Sequence, residues 1–410
     1  METRRAQPEG VCGAARPGRW GLTELYEVGP LRLRERSLKT VHAYVSRGRL
    51  VRNAQRIRAA CGPGVGLCAM VKANGYGQGA RNVVTALAGQ ADWFAVANIE
   101  EAESIQPFLA DKPVLTTCPV FAGEDGELLR LAQARGFHCT VCSGSALRYL
   151  LGVLAGRGAP LNLHVKVDTG MGRLGCTGEE GLALVQAIDA GAAVRLAGAY
   201  THFATADEAD ASFAGEQLER FGRFLRASGL EGRVGVVRHA ANTSGALRLP
   251  EARLDMVRCG IGLYGYVNFE GGQEQPGFEP VVRVEAPVVQ VKRLRAGESC
   301  GYGRAYVAER ERLIGVVPVG YADGLSRVLS NRAMMRCGEY GAPVVGRISM
   351  DLTIIDLTDV PGACEGMTVT VLDDRPDGAC NAAGLARRAG TIPYEVLTSI
   401  GNRIKRVLVD

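Results

Sequence analysis

Eight short apolar segments, separated by stretches with helical periodicity, constrain the fold of this chain more than any other feature of its sequence. They lie at residues 66–72, 92–97, 113–117, 137–141, 161–167, 194–202, 233–239 and 255–262. Leucine and alanine recur at helical spacing in the segments between them. Strands that alternate with helices form a parallel sheet, and eight such repeats favour closure into a (β/α)8 barrel.

The pattern changes after about residue 275. Beyond this point, segments of alternating polarity are separated by Gly, Pro and Asp turns, which is typical of antiparallel strands. We therefore predict an N-terminal extension over 1–38, a barrel over 39–275 and a mainly antiparallel β domain over 276–410. The predicted fold class is α/β, and the Gly-rich acidic stretch 268–280 is the predicted link between barrel and β domain.

The composition excludes several classes of protein. The 48 basic and 43 acidic residues are mixed along the chain, so nothing indicates nucleic-acid binding. No apolar run reaches the roughly 18 residues that a membrane span needs, and the N-terminal segment lacks the apolar region of a secretory signal. Twelve cysteines without regular spacing indicate reduced thiols, so we expect a cytoplasmic protein. No His, Cys or carboxylate pair has the spacing of metal ligands, so no metal is predicted.

Five polar side chains fall at or near the ends of predicted strands. They are Lys72, Lys166, His202, His239 and Arg258. Each one alone is compatible with an ordinary solvent-facing strand end. Enzymes with this barrel place their active sites at the carboxyl ends of the strands, so five such residues on one rim indicate a site there.

The segment MVKANGYGQG, residues 70–79, resembles the pyridoxal-phosphate lysine segment of the alanine racemase family. Eight more segments match that family in the same order: HVKVDTGMGRLG (164–175), YTHFATADE (200–208), HAANTSGAL (239–247), DMVRCGIGLYG (255–265), CGYGRAY (300–306), VGYADG (319–324), VGRISMD (345–351) and TIPYEVLTSIGNR (391–403). Nine ordered segments are far more specific than one short motif. The resemblance implies a homodimer with shared active sites that uses pyridoxal 5′-phosphate to interconvert L- and D-alanine, and so supplies D-alanine for peptidoglycan.

Racemisation requires that the α-proton leaves one face of the amino acid and that a proton returns on the other face. Pyridoxal phosphate makes this proton removable, while the protein supplies bases and orientation. The resemblance implies that Lys72 holds the cofactor covalently and acts as one base, and that Tyr302 acts as the second base from the partner subunit. A phenol has a reference pKa of about 10 and needs support to act as a base. The resemblance assigns this support to His202, which Arg258 would orient.

Arg258 also corresponds to the residue that faces the pyridine nitrogen of the cofactor. An arginine is a permanent cation and cannot accept a proton from the ring, so the ring nitrogen would stay unprotonated. The ring then withdraws less charge from the substrate, which favours reprotonation at Cα over transamination and decarboxylation. Decarboxylases that share the barrel place a carboxylate at this position, so Arg258 is the main reason to prefer a racemase.

The resemblance implies roles for the remaining site residues. Those expected to hold the cofactor, chiefly its phosphate, are Tyr76, Asn242, Thr243, Gly260, Ile261 and Tyr394. Arg173 would contact the substrate carboxylate, and Lys166 corresponds to a lysine that is carbamylated in many members of the family. Met350 and Asp351 would line the substrate site from the partner chain.

Three positions depart from the pattern of the family, which leaves the substrate preference open. Gln78 replaces a common His, Thr243 a common Ser and Ser349 a common Cys. A racemase for serine or another small amino acid is therefore an alternative, although the bulk of Tyr394 at the mouth favours alanine. A barrel-type pyridoxal-phosphate carrier protein would lack the β domain that bears Tyr302, and a barrel-type decarboxylase would carry the carboxylate described above.

Overall fold

The computed structural model describes residues 41–156, 158–267, 269 and 277–410. The predicted extension over 1–38 and most of the predicted link lie outside the described residues, so the division near residue 275 stays a prediction. Among the residues described, no helix has both the length and the apolar character needed to cross a membrane. The described chain begins with strand β1 (His42–Ser46) and helix α1 (Arg47–Cys61).

Eight parallel strands form a nearly closed barrel, which confirms the predicted fold class. They are β2 (Gly66–Met70), β3 (Trp93–Val96), β4 (Val114–Pro119), β5 (His138–Val141), β6 (Leu161–Lys166), β7 (Val194–Tyr200), β8 (Val237–His239) and β9 (Met256–Cys259). Hydrogen-bonded neighbours follow the order β8-β7-β6-β5-β4-β3-β2-β9. Between β8 and β9, Asp255 N donates to Arg238 O and Arg258 N donates to Ala241 O, which brings the two ends of the sheet together.

Helices separate the barrel strands. After α1 they are α2 (Lys72–Tyr76), α3 (Ala80–Leu87), α4 (Ile99–Ile105), α5 (Gly126–Arg135), α6 (Gly144–Leu154), α7 (Gly178–Asp189), α8 (Ser212–Ala227) and α9 (Thr243–Arg248). Several begin at side chains that satisfy the first free N–H groups of a helix. Ser143 accepts from Ala146 N, and Thr177 forms a capping box with Glu180. These local signals fix where each helix begins relative to the strand before it.

The C-terminal region is mainly antiparallel, as its alternating polarity predicts. Its strands are β10 (Val282–Pro287), β11 (Gln290–Leu294), β12 (Ser299–Cys300), β13 (Tyr306–Val307), β14 (Arg312–Val317), β15 (Met334–Cys337), β16 (Tyr340–Pro343), β17 (Thr353–Asp356), β18 (Thr368–Leu372) and β19 (Lys405–Val409). They form a six-stranded sheet with the order β16-β15-β18-β10-β1-β19, the three-stranded sheet β11-β14-β17 and the hairpin β12-β13. Helices α10 (Ala382–Ala389) and α11 (Pro393–Thr398) precede β19.

Strand β1 belongs to the C-terminal sheet, although its residues fall in the range predicted for the barrel. It pairs antiparallel with β10 and parallel with β19. Both partners lie more than 200 residues away in the sequence, so local patterning contains no signal for this pairing. The pairing joins the beginning of the described chain to its end.

Candidate active site

The structure places all five predicted rim residues at or near the carboxyl ends of the barrel strands. Lys166 ends β6, His202 follows β7 by two residues, and Lys72 follows β2 at the start of α2. Arg258 lies in β9 and is buried. The fifth, His239, ends β8 but is completely buried. It was expected to face the rim, and instead it contacts Arg258 from the barrel interior.

The guanidinium of Arg258 is held by neutral acceptors. Their distances from the Arg258 nitrogens are 2.9 Å to His239 Nδ1, 2.8 Å to Thr201 O, 3.0 Å to Ala240 O and 3.2 Å to His202 Nδ1. Its Cζ also lies 4.9 Å from the centroid of the Tyr200 ring. No ion pair among the described residues includes Arg258. Its positive charge is therefore available to a group placed at the rim.

Arg258 determines where two histidines carry their protons. An arginine can only donate hydrogen bonds, so the Nδ1 atoms of His239 and His202 must both be acceptors. Each imidazole is consequently neutral, with its proton on Nε2. Burial, followed by the charge of Arg258, holds the pKa of both rings well below the usual histidine value. His202 therefore has an Nε2–H group to donate to a partner other than Arg258.

Lys72 opens a turn whose backbone is unusual. Residues Ala73 and Tyr76 have φ values of 53° and 52°, in the left-handed region that side chains seldom adopt. The carboxylate of Glu101 accepts hydrogen bonds from Ala73 N and Ala97 N, both at 2.8 Å, and so supports the turn. Burial by surrounding atoms and then the charge of Arg173 lower the pKa of Lys72. The larger neutral fraction makes this amine a better nucleophile and base.

A cluster of hydroxyl side chains adjoins the turn that begins at Lys72. The ring of Tyr76 stacks on that of Tyr264 at 4.5 Å and lies 6.0 Å from that of Tyr394. Thr243 Oγ1 accepts from Gly260 N at 3.1 Å. A Cβ atom on Gly260 would lie 2.2 Å from the Tyr76 hydroxyl oxygen, so only glycine permits this approach.

Two further predicted residues, Asn242 and Ile261, lie beside this cluster and belong to the structural framework. Asn242 precedes α9 and caps it, because its side chain accepts from Gly245 N at 2.9 Å. Ile261 follows Gly260 and is buried. The six residues predicted to hold the cofactor, chiefly its phosphate, thus lie in four places: Tyr76 on α2, Asn242 and Thr243 at the start of α9, Tyr394 on α11, and Gly260 and Ile261 after β9.

Lys166 and Arg173 lie on the β6 side of the rim. Lys166 is buried, its Nζ lies 5.4 Å from the centroid of the Tyr200 ring, and burial together with the charges of Arg258 and Arg173 lowers its pKa to about 8. Arg173 follows a turn in which Asp168 accepts from Gly170 N and Gly172 N. The positive charge of Arg173 thus disfavours a positive charge on Lys166.

Three predicted residues lie on the surface of the C-terminal region. The side chains of Tyr302 and Met350 are 70% and 53% exposed, and no hydrogen bond among the described residues joins Tyr302 to His202. Asp351 is also exposed and accepts from Arg403 at 2.7 Å. One described chain therefore does not by itself bring these residues to the rim.

Two contributors were missed by reasoning from the sequence. Glu101 supports the Lys72 turn, although the sequence shows it only as an acidic residue in the first turn of a helix. Arg403 binds Asp351 and also Asp323, which is buried, so it fixes the loop that bears Asp351. Two of the departures differ in how their side chains are satisfied: the amide of Gln78 is completely buried with no hydrogen-bond partner among the described residues, whereas Ser349 Oγ donates to Leu352 O.

The neutral histidines of the barrel predict a loss of stability in acid. His138 has its pKa lowered to about 4, and the pKa values of His164, His202 and His239 lie well below the usual range, chiefly because of burial. The unfolded chain binds protons at these residues near pH 6.5, whereas the folded chain does not. The free energy of unfolding should therefore be maximal above about pH 6.5 and should fall by about 1.4 kcal/mol per pH unit for each histidine below it.

Urea unfolding at a series of pH values from 7.5 to about 5 measures this slope. A His138→Gln variant removes one of these histidines and should reduce the slope. A free energy of unfolding that stays constant between pH 7 and about 5 would contradict the assignment of neutral histidines.

The chain matches known proteins over most of its length. Residues 45–268 match the model of the alanine racemase N-terminal domain, and residues 281–408 match that of the C-terminal domain. An alanine racemase of Chlorobaculum tepidum is 39% identical over 377 residues, which are 90% of this chain and 95% of the relative. An alanine racemase of Desulfosudis oleivorans is 36% identical over 87% of this chain and 93% of its own.

Solved structures agree with these matches. The biosynthetic alanine racemase of Pseudomonas aeruginosa is 32% identical, with a TM-score of 0.79 over 91% of this chain and 100% of its own. An alanine racemase of Bartonella henselae with covalently bound pyridoxal phosphate is 28% identical, with a TM-score of 0.78 over 90% of this chain and 99% of its own. These similarities cover both the barrel and the C-terminal region and confirm the resemblance found in the sequence, so the chain belongs to the alanine racemase family.

Proposed function

We propose that this enzyme interconverts L- and D-alanine with pyridoxal 5′-phosphate, using Lys72 and the Tyr302 of a second copy of the chain as bases on opposite faces of the substrate. The observation that carries the proposal is the convergence on one rim of Lys72, whose pKa is lowered, and Arg258, a buried cation held by neutral acceptors. The D-alanine formed in the cytoplasm would serve peptidoglycan synthesis.

The residues at the rim fit this cofactor. Tyr76, Thr243 and Tyr394 offer hydroxyl donors for a phosphate, and Gly260, which has no side chain, lets the Tyr76 hydroxyl approach the segment after β9. Lys72 offers an amine for the aldehyde group. When bound, the cofactor supplies an electron sink that makes the α-proton of an amino acid removable. The Bartonella henselae relative, with its covalently bound pyridoxal phosphate, supports this assignment.

Arg258 would control which reaction follows removal of the proton. Its guanidinium is already fully protonated and has no carboxylate partner among the described residues. It would therefore leave a facing pyridine nitrogen unprotonated. The negative charge that develops on the substrate then remains more at Cα. Return of a proton to Cα is consequently favoured over transamination or decarboxylation.

The two bases differ in how they become competent. Lys72 Nζ is competent because its lowered pKa increases the neutral fraction. The phenolate of Tyr302 needs stabilisation, and the Nε2–H of His202 would donate a hydrogen bond to its Oη. Because Arg258 occupies Nδ1 of His202, this ring has no other tautomer available. Arg258 thereby supports both the reaction at Cα and the second base.

A two-fold dimer would complete each site. Tyr302, Met350 and Leu352 are large apolar side chains exposed on the C-terminal region, and Arg403 holds Asp351 beside them. Under two-fold symmetry the same surface is used twice, so each barrel mouth would be covered by the C-terminal region of the other copy. This arrangement accounts for an exposed tyrosine that takes part in proton transfer.

Arg173 would bind the substrate carboxylate, and Lys166 would position Arg173. An amine with a pKa of about 8 has a substantial neutral fraction at neutral pH and can add carbon dioxide, losing one proton and becoming a carbamate anion. This anion at Lys166 would pair with Arg173 in place of the repulsion between two cations. We therefore propose that Lys166 is carbamylated in the active enzyme.

Incubation of the loaded protein with L-alanine in deuterium oxide should yield D-alanine that carries deuterium at Cα. L-serine should react with a kcat/KM about 10- to 100-fold lower, because Tyr394 limits the room for a larger side chain. Chiral chromatography with mass detection measures both quantities. Racemisation of serine in preference to alanine would instead establish the alternative substrate.

Mixed dimers test the shared site. Lys72→Ala and Tyr302→Phe homodimers should each be inactive, whereas subunit exchange between them produces dimers in which one site has both bases. Recovered activity should approach about a quarter of the parent value, since about half of the dimers are mixed and each has one complete site. Native mass spectrometry confirms the exchange. A mixture that stays inactive after exchange would show that Tyr302 does not act across the interface.

A further inference from the structure

Three histidines form a continuous hydrogen-bonded chain from Arg258 into the barrel. Arg258 donates to His239 Nδ1 at 2.9 Å, and His239 Nε2 lies 2.9 Å from His164 Nδ1. His164 Nε2 in turn lies 3.0 Å from His138 Nδ1. The chain thus passes through β8, β6 and β5 and ends at the first residue of β5, away from the rim.

The direction of every hydrogen bond in this chain follows from its first member. His239 accepts at Nδ1 and so carries its proton on Nε2, which makes it a donor to His164 Nδ1. His164 must then also carry its proton on Nε2 and donate to His138 Nδ1. Reversing any one ring would place two N–H groups against each other, so all members are coupled.

The packing around the chain leaves little freedom for a ring to turn. His164 and His239 are completely buried, and the ring of His239 stacks on Tyr200 at 4.7 Å. On β7, a Cβ atom at Gly198 would lie 2.3 Å from His164 Nδ1, so the strand contacts this ring directly. Trp93 lies edge-on to His138, with ring centroids 4.6 Å apart.

We propose that His164, and through it His138, are positioning residues for Arg258. They hold the ring of His239 in place through its Nε2–H, so that its Nδ1 lone pair stays on one nitrogen of the guanidinium. Neither residue contacts the rim, and their influence reaches it only through His239. The proposal rests on the function proposed above for Arg258, but the tautomers themselves can be measured without any reaction.

The charged neighbour of the chain favours this arrangement. Arg195 lies near the His138 end and its charge, together with burial, lowers the pKa of His138. The guanidinium of Arg195 is held by Asn162 Oδ1 at 3.0 Å from Nε. A cation on either end of the chain therefore disfavours a proton excess within it.

Nitrogen NMR of the protein loaded with pyridoxal phosphate tests the direction directly. The protein contains five histidines, so labelling the histidine rings with 15N gives few resonances, and substitutions can assign them. We expect His138, His164 and His239 each to be neutral with the proton on Nε2. A proton on Nδ1 of His239 or His164 would overturn the proposal, whether or not the protein racemises alanine.

Two variants at His164 separate positioning from packing. His164→Leu removes the acceptor for His239 Nε2–H, and loss of one buried hydrogen bond should lower kcat by about tenfold while KM stays within about twofold. His164→Asn keeps an oxygen near the former Nδ1 and should restore most of kcat. His42→Asn, on β1, serves as the matched control and should leave kcat unchanged.

His138→Leu provides a second variant at the less buried end of the chain. It removes the acceptor for His164 Nε2–H, so the nitrogen resonances of His164 and His239 should shift although the His239 proton stays on Nε2, and kcat should fall without a matching change in KM. Unchanged His239 ring-nitrogen resonances and unchanged kcat in both His138→Leu and His164→Leu would overturn the proposal. If the parent protein does not racemise alanine, the proposed function fails while the tautomer result remains valid.

Discussion

The interaction on which the rest of this site depends is the hydrogen bonding of a buried guanidinium, that of Arg258, to neutral acceptors. Placing a charge such as that of Arg258 in the interior costs several kcal/mol unless hydrogen bonds compensate for the lost water. Here carbonyl oxygens and histidine nitrogens from the ends of β7 and β8 supply them, while Arg258 itself lies on β9. The same contacts therefore satisfy the charge and join the strands where the barrel closes.

Because arginine only donates, Arg258 distributes protons in two directions at once. Towards the rim it leaves His202 with an Nε2–H group, which we propose donates to the second base, and towards the interior it fixes His239 and the histidines beyond it. The strained turn after β2 places Lys72 beside this network, and Glu101 supports that turn. The fold thus brings the amine of Lys72, the cation of Arg258 and a cluster of hydroxyl side chains to one end of the barrel.

The sequence predicted the barrel well because its signals are local. Strand positions followed from apolar segments and helices from the spacing of leucine and alanine between them, whereas the pairing of β1 with β10 and β19 is non-local and left no such signal. His239 was expected at the rim because it ends a strand, yet its ring faces inward. His164 was overlooked although it lies two residues before Lys166 on β6 and so shares a strand face with it. Glu101 and Arg403 act through partners distant in sequence, which only coordinates reveal.

The protonation state of the cofactor nitrogen tests the central claim most directly. The measurement is a 15N NMR spectrum of the protein loaded with pyridoxal phosphate labelled at the ring nitrogen, recorded across the neutral pH range. If Arg258 acts as described, the resonance should be that of an unprotonated pyridine and should not change with pH, and Arg258→Glu should shift it to that of a pyridinium. A pyridinium resonance in the parent protein would contradict the role assigned to Arg258.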